Sequence, residues 1–199
     1  MITIVSGLPR SGTSMMMQML EAGGIPILRD AVRGADGDNP KGYYELEKVK
    51  SLDKDASWIG DAEDRALKVV SMLLYELPGD RRYKVIFMTR SMDAVLASQS
   101  RMLSNRGEER GPDDAGMRKH FETHLAKVRR WLAEQDNIEV VYCSYESVLA
   151  DPRTAAAELA ASLGGNLDVS AMSAAVDPTM QNAERGMRSA ELGDFNFRG

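Results

Sequence analysis

The chain has 199 residues, of which 43% are hydrophobic and 28% charged, and its formal net charge is −5. This length and composition predict one globular domain over residues 1–199 with a sizeable buried core. The acidic balance excludes broad nucleic-acid binding, which needs a basic face, and no apolar run approaches the ~20 residues that span a membrane. Because Cys143 is the single cysteine and the first strand leaves no room for a signal peptide, we expect a cytoplasmic protein.

The N-terminal residues predict a strand, a glycine-rich loop and a helix. The β-branched run Ile2–Val5 is typical of a buried strand, and a loop with glycines and a proline follows it directly. Residues 13–22 favour a helix, because apolar side chains recur at helical spacing, and a pair of glycines at 23–24 ends it. A strand, a glycine loop and a helix in this order form the first unit of an α/β fold.

The middle of the chain has less regular patterns. Residues 29–42 are rich in Gly, Asp, Asn and Pro and predict a loop, whereas residues 43–54 and 64–77 are predicted to be helical. Tyr83–Met88 is an apolar run typical of a second strand. The next helix is expected over residues 91–103, with a serine as its N-cap.

The C-terminal half repeats the alternation of helix and strand. Residues 105–116 are charged and contain glycine, which favours a mobile flap, and residues 117–134 carry a narrow apolar stripe typical of a helix. A third strand is predicted over 138–142, with helices around Ser147 and over 152–163. Three strands separated by helices predict an α/β, three-layer, P-loop-like fold with a small parallel sheet flanked by helices on both faces.

The loop after the first strand has the composition of an anion-binding cradle. At a strand-to-helix turn, backbone N–H groups and the positive end of the helix dipole converge on one point. Arg10 adds a positive charge there, and hydroxyl side chains add further donors. The candidate binding residues are Pro9, Arg10, Ser11, Gly12, Thr13 and Ser14.

This loop differs from the nucleotide-binding P-loop, Gly-x-x-x-x-Gly-Lys-Ser/Thr, because Thr13 stands at the lysine position. In addition, neither the strand ending near Thr89 nor the one ending near Cys143 finishes in an aspartate that could help to hold Mg²⁺. Both differences predict that the anion is bound without a metal. His120 and His124 are four residues apart on a predicted helix, but no third ligand accompanies them, so we predict no metal site there either.

A second candidate anion site follows the second predicted strand. Arg90 comes at the C-terminal end of that strand, which is the edge where open α/β sheets bind ligands. Ser98 lies two turns into the next helix, on the shoulder of its apolar stripe, where it can face a ligand beside the sheet. A guanidinium with a nearby hydroxyl suits a dianionic phosphate.

Together these motifs resemble the sulfotransferases that use 3′-phosphoadenosine 5′-phosphosulfate (PAPS). Residues 7–14 are similar to that family's loop for the 5′-phosphosulfate, and Arg90 with Ser98 resembles its 3′-phosphate site at the family spacing. Tyr145–Pro152 resembles a third family segment, which implies that Tyr145 lies near the adenine. An arginine in the loop is more like the protein-tyrosine and bacterial enzymes than the cytosolic phenol and steroid enzymes, which carry a lysine there and a catalytic histidine.

The resemblance implies a metal-independent transfer of a sulfuryl group from PAPS to a hydroxyl or amine of a small-molecule, carbohydrate or lipid acceptor, with PAP as the product. We expect Arg10 to stabilise charge on the departing 5′-phosphate. Because no histidine precedes His120, we expect the base to be a carboxylate, and Glu45 is the candidate, in a stretch similar to one of small bacterial members. Asp30 and Asp61 are weaker alternatives, and a solvated or helix-capping Glu45 also fits the sequence.

Two other functions stay open on the sequence alone. A P-loop kinase or nucleotide hydrolase would share the glycine loop, although the loop lysine and the metal-binding aspartate are missing. A non-catalytic module that binds PAP or another nucleotide would keep Arg90 and Ser98 but have no working base. The C-terminal Arg-Lys-Gly phosphate clamp of the family has only a faint counterpart in Arg185, Gly186 and Arg188.

Overall fold

The computed structural model describes residues 1–30, 44–105, 107 and 114–177, and its centre is a 4-stranded parallel sheet in the order β2-β1-β3-β4. The strands are β1 Ile2–Gly7, β2 Ala66–Lys68, β3 Tyr83–Thr89 and β4 Ile138–Ser144. The α-helices are α1 Thr13–Ala22, α2 Met92–Asn105, α3 Asp114–Ala133, α4 Tyr145–Ala150, α5 Pro152–Ser162 and α6 Val169–Ala174. Short 3₁₀ helices span Glu47–Ser51, Ser57–Ala62 and Ser71–Glu76.

Side chains alternate along the central strands and give the sheet two buried faces. Ile4 of β1 and Phe87 of β3 pack into one core with α3 and the 3₁₀ helices. Val5 and Met88 pack into the other core with α1, α4, α5 and α6. Because both faces are buried, β1 and β3 are nearly continuous apolar runs rather than alternating ones. The predicted α/β fold, with helices on both faces of a small parallel sheet, is confirmed.

The parallel register brings the C-terminal ends of all strands to one edge of the sheet. β1 pairs with β3 from Ile2↔Tyr83 to Gly7↔Met88. β3 pairs with β4 up to Thr89↔Ser144, and β1 pairs with β2 up to Val5↔Lys68. The loops that leave these ends therefore lie side by side, and this edge is where ligands bind in open α/β sheets.

The helices predicted over residues 43–54 and 64–77 are wrong. Residues 44–46 are irregular, and only Glu47–Ser51 forms a 3₁₀ helix. In the second segment Ala66–Lys68 forms the edge strand β2, which is fully buried, and the 3₁₀ helix Ser71–Glu76 follows. Ala66–Lys68 is so short that the spacing of its apolar residues also fits one turn of a helix. The strand forms because it pairs with β1, and the local sequence pattern does not indicate that pairing.

The other predicted elements agree with the structure. The strands that we predicted at 2–5, 83–88 and 138–142 are β1, β3 and β4, and the helix predicted over 13–22 is α1. The loop predicted for 29–42 and the flap predicted for 105–116 lie largely outside the described residues, although α3 already begins at Asp114. Among the helices that are described, none is long and apolar enough to cross a membrane.

Candidate active site

The loop from β1 to α1 is a compact turn that leads directly into the N-terminus of α1. The Ser11 N–H donates to the Leu8 carbonyl over 3.2 Å, and α1 begins with the Met16 N–H donating to the Gly12 carbonyl over 3.1 Å. Arg10 adopts φ 68°, a left-handed conformation that few non-glycine residues occupy. The Ser11 hydroxyl is buried without a hydrogen-bond partner among the described residues. Such a geometry leaves the N–H groups of the first helical turn for an anion.

Glycine is required at position 12 by both conformation and space. Gly12 has φ 96°, and a β-carbon there would lie 2.4 Å from Cδ2 of Tyr145. Tyr145 opens α4 at the end of β4 and is buried, so its ring forms a wall against the loop. The sequence predicted that Tyr145 lies near the adenine. The structure brings its ring to the phosphate loop, and its role towards a nucleotide stays a prediction.

The two predicted anion sites are joined by direct hydrogen bonds. Arg90, at the end of β3, donates from Nη1 to the Arg10 carbonyl over 2.8 Å, and its guanidinium lies 4.3 Å from the centre of the Tyr145 ring. Arg10 in turn donates from Nε to the Ser98 hydroxyl over 2.9 Å. Ser98 is 5% exposed and therefore more enclosed than its predicted shoulder position on α2. The loop and the end of β3 form one continuous site.

Glu146 links the third motif to the second. Its carboxylate accepts from the Ser91 N–H, just before α2, over 2.8 Å and from the Ser144 hydroxyl over 2.9 Å. Burial raises the pKa of Glu146, but these hydrogen bonds and the charge of Arg90 outweigh burial and bring that pKa below its ordinary value. The carboxylate is therefore ionised at neutral pH, in the electrostatic field of Arg90.

Glu45 lies at the same edge, next to a lysine that sequence reasoning missed. Lys68, the last residue of β2, has a side chain that is 8% exposed, and its Nζ lies 3.6 Å from Oε1 of Glu45. The same Nζ donates to the Ser14 hydroxyl over 3.5 Å. A buried ammonium is costly unless it is paired. Lys68 therefore brings a positive charge from β2 to the loop that has a threonine at the P-loop lysine position.

A sequence signal for Lys68 existed. It is the one charged residue in the apolar run 66–70, and a charge inside such a run is typical of a buried functional group. The helical assignment of residues 64–77 hid that signal, because on a helix the same lysine would lie on a solvated face. Glu45 precedes a 3₁₀ helix rather than entering an α-helix, and its role as the base stays a prediction.

The segment that carries Glu45 is anchored by its neighbour Tyr44. The Tyr44 hydroxyl donates to Oε2 of Glu21 over 2.7 Å, and the Arg29 guanidinium lies 4.4 Å from the ring centre. Arg29 also pairs with Glu21 at 3.0 Å. Burial, and then the hydrogen bond to Glu21, raises the pKa of Tyr44. Tyr44 adopts φ 54°, so the backbone turns sharply just before the candidate base.

The weaker candidates occupy other positions. Asp30 accepts from the Glu47 N–H over 2.5 Å and so holds the chain around Glu45 in place, while Asp61 is exposed in the 3₁₀ helix Ser57–Ala62.

The two histidines of α3 do not form a metal site with other side chains that the structure describes. His124 is hydrogen-bonded to Ser71. Within the described ranges no group of three or more His, Cys, Asp and Glu side chains could hold a metal ion. The predicted clamp residues Arg185, Gly186 and Arg188 lie outside the described residues.

The fold and the site define a class, the α/β proteins with a parallel sheet and a glycine-bearing loop between the first strand and the first helix. Comparison with protein families narrows this class, because residues 2–194 match the sulfotransferase domain. The chain therefore belongs to the sulfotransferase family, whose general reaction is the transfer of a sulfuryl group. No curated protein matched the chain in a sequence comparison.

Proposed function

We propose that the protein is a PAPS-dependent sulfotransferase with PAP as its second product. The observation that carries the proposal is the 2.8 Å hydrogen bond from Arg90 to the Arg10 carbonyl, which joins the two motifs that we predicted to bind anions. One nucleotide with phosphates at both its 3′ and 5′ positions has the charges that such a site would bind. In this proposal Arg90 and Ser98 bind the 3′-phosphate, and the loop residues Pro9–Ser14 bind the 5′-phosphosulfate.

The proposed reaction is an in-line displacement at sulfur. The acceptor oxygen forms a bond to sulfur while the bond from sulfur to the bridging oxygen of the 5′-phosphate breaks, and that electron pair stays on the phosphate. The acceptor proton moves to the Glu45 carboxylate. Positioning and charge stabilisation supply most of the rate in such transfers, and in this proposal the acceptor is a hydroxyl or amine of a small molecule, carbohydrate or lipid.

Positive charge at the leaving group comes from two side chains in this proposal. Arg10 lies in the loop itself, and Lys68 approaches the same helix N-terminus through its 3.5 Å contact with Ser14. An ammonium held by a buried contact is preorganised, so it stabilises developing charge without rearranging at the moment of reaction. The proposal therefore needs no metal ion at the site.

Isothermal calorimetry with PAP, AMP and ATP, each with and without Mg²⁺, tests the donor assignment. We expect PAP to bind without Mg²⁺ and more tightly than AMP, because only PAP has the 3′-phosphate for Arg90. The Arg90→Met variant should bind PAP and AMP with similar affinity, whereas Arg129→Met, which removes an arginine stacked on the exposed Tyr142 of β4, should not change the preference. A preference for Mg·ATP would instead support the kinase or hydrolase alternative.

Transfer of labelled sulfate to a panel of alcohols and amines then separates an enzyme from a binding module. We expect labelled product with at least one acceptor class. Tight PAP binding without transfer to any acceptor, together with no hydrolysis of PAPS, would support the non-catalytic binder.

A further inference from the structure

Ser71 and His124 lie near the candidate site, but the proposed donor chemistry does not use them. Ser71 is 1% exposed, and its hydroxyl lies 2.8 Å from Nε2 of His124 on α3. Because Ser71 follows Lys68 by three residues, their Cα atoms are at most about 11 Å apart. On α3, Phe121 lies one turn before His124 and packs in one cluster with Leu8 of the phosphate loop. Ser71 and His124 therefore each follow, by about one turn of chain, a residue that contacts the donor loop: Lys68 contacts Ser14, and Phe121 packs with Leu8.

The hydrogen bond with Ser71 engages one ring nitrogen of His124 and leaves the other for a ligand. Within the described residues, no hydrogen bond engages Nδ1 of this ring. Burial, together with the charges of His120 and Lys127, lowers the pKa of His124, so the ring is neutral near pH 7. A neutral imidazole held at Nε2 offers Nδ1 as a hydrogen-bond donor or acceptor, according to its tautomer.

Apolar side chains on either side of Ser71 are exposed. Val70 is 41% exposed and Met72 is 45% exposed. Further along the same 3₁₀ helix, the Tyr75 ring lies with its centre 4.9 Å from that of Trp131 on α3. Single exposed apolar residues are common, but these flank the buried Ser71, whose hydroxyl contacts the half-buried His124. An apolar surface with one or two fixed polar groups is the usual composition of a small-molecule site.

We propose that Val70, Met72 and His124 form the acceptor subsite, an inference that rests on the proposed sulfotransferase function. Val70 and Met72 contact the apolar body of the acceptor, and His124 hydrogen-bonds a polar group of the acceptor through Nδ1. Ser71 is a positioning residue, because it is too buried to touch the acceptor and acts through the imidazole. The acceptor class is a hydroxyl compound with an apolar body, since a sugar would leave most of its hydroxyls unpaired against this surface.

Nuclear magnetic resonance of the imidazole nitrogens tests the subsite directly, because the chain has only 2 histidines. The probe is 2-naphthol, titrated into the protein saturated with PAP. We expect the His124 signals to shift saturably. The signals of His120, which is exposed one turn earlier on α3, should stay in place and serve as the internal control.

Variants separate recognition from folding. Met72→Ser should weaken naphthol binding about tenfold, as expected for the loss of one apolar side-chain contact, and Ser71→Ala should change the His124 tautomer signals and weaken naphthol binding. Both variants should keep the calorimetric affinity for PAP. His120→Gln is the matched control and should leave naphthol binding unchanged.

Each result decides between the two proposals. If PAP binds but naphthol shifts neither histidine, or shifts both equally, the subsite is wrong and the donor assignment stands. If N-acetylglucosamine shifts His124 and naphthol does not, the apolar acceptor class is wrong. If PAP does not bind at all, the proposed function fails and the subsite fails with it.

Discussion

Glu45 is the residue on which the proposed proton transfer depends, and its carboxylate lies 3.6 Å from Nζ of Lys68. Replacing Glu45 by Gln keeps the size of the side chain and removes its ability to accept a proton. We expect turnover to fall by about 10²–10⁴-fold, the usual contribution of a general base, with the affinity for PAP unchanged. Sulfate transfer to the best acceptor of the panel measures the first quantity, and calorimetry measures the second.

Glu47→Gln is the control for this prediction. Glu47 lies two residues further along the chain, and its carboxylate pairs with Lys50 at the surface over 2.8 Å. That variant should therefore turn over normally. If Glu45→Gln also turns over normally while it binds PAP, Glu45 is not the base.

Alanine substitutions at Gly12 and Gly24 separate the free-energy cost of backbone strain from that of a steric clash. Gly12 and Gly24 have nearly the same φ, 96° and 99°, but a β-carbon at position 12 would overlap Tyr145 whereas one at position 24 meets nothing within 4 Å. Alanine at either position costs about 1 kcal/mol of strain, and the clash at position 12 should add about 1–3 kcal/mol. Urea denaturation measures both free energies of unfolding.

We expect Gly12→Ala also to weaken PAP binding, because the clash must move either the loop or the Tyr145 ring. Gly24→Ala should bind PAP as the natural chain does. Equal losses of stability in the two variants would mean that the contact between Gly12 and Tyr145 is not maintained in solution.

At the scale of elements, the carboxylate of Glu146 on α4 holds the start of α2 through the Ser91 N–H. Because the folded pKa of Glu146 lies below its ordinary value of 4.5, this carboxylate stabilises the fold above pH 4.5. The contribution is lost as the pH falls through the lowered folded pKa. The difference in unfolding free energy between the natural chain and Glu146→Gln should therefore be largest near pH 7 and shrink below pH 4.5.

Denaturant unfolding at a series of pH values measures this difference. Glu134→Gln is the control, since Glu134 is exposed just after the end of α3, and its difference should be small at every pH. A Glu146→Gln difference that is constant down to pH 3 would contradict the role of the carboxylate as a link between α4 and α2.

At the scale of the whole molecule, the site collects loops from all four strands, so a bound nucleotide should stabilise the fold as a unit. We propose that residues 1–199 form a single domain, and we expect it to unfold in one transition. PAP at 100 times its dissociation constant should raise the free energy of unfolding by about 2.7 kcal/mol. The same concentration of AMP should raise it less, and EDTA should not change either result.

Thermal and urea denaturation with each nucleotide check this expectation. Two separate transitions would contradict the single domain. Equal stabilisation by PAP and AMP would contradict the assignment of Arg90 and Ser98 to the 3′-phosphate.

The sequence alone determines those elements whose structure depends on interactions between neighbouring residues. The run Ile2–Val5, the glycines after it and the helical spacing of residues 13–22 specify β1, the loop and α1, because strand burial, left-handed backbone and helix periodicity act over a few neighbouring residues. The same is true of β3 with Arg90 at its end. The placement of the loop and of Arg90 at the ends of neighbouring strands could therefore be predicted.

Only the tertiary structure decided how these pieces act together. β2 forms because it pairs with β1. Neither this strand nor the contact of Lys68 with Ser14 could therefore be predicted from the local pattern. The contact of Glu45 with Lys68 and that of Arg10 with Ser98 join residues 23 and 88 positions apart in the chain. Such contacts depend on how the sheet orders its strands, which no short window of sequence contains, because strand order is set by packing across the whole core.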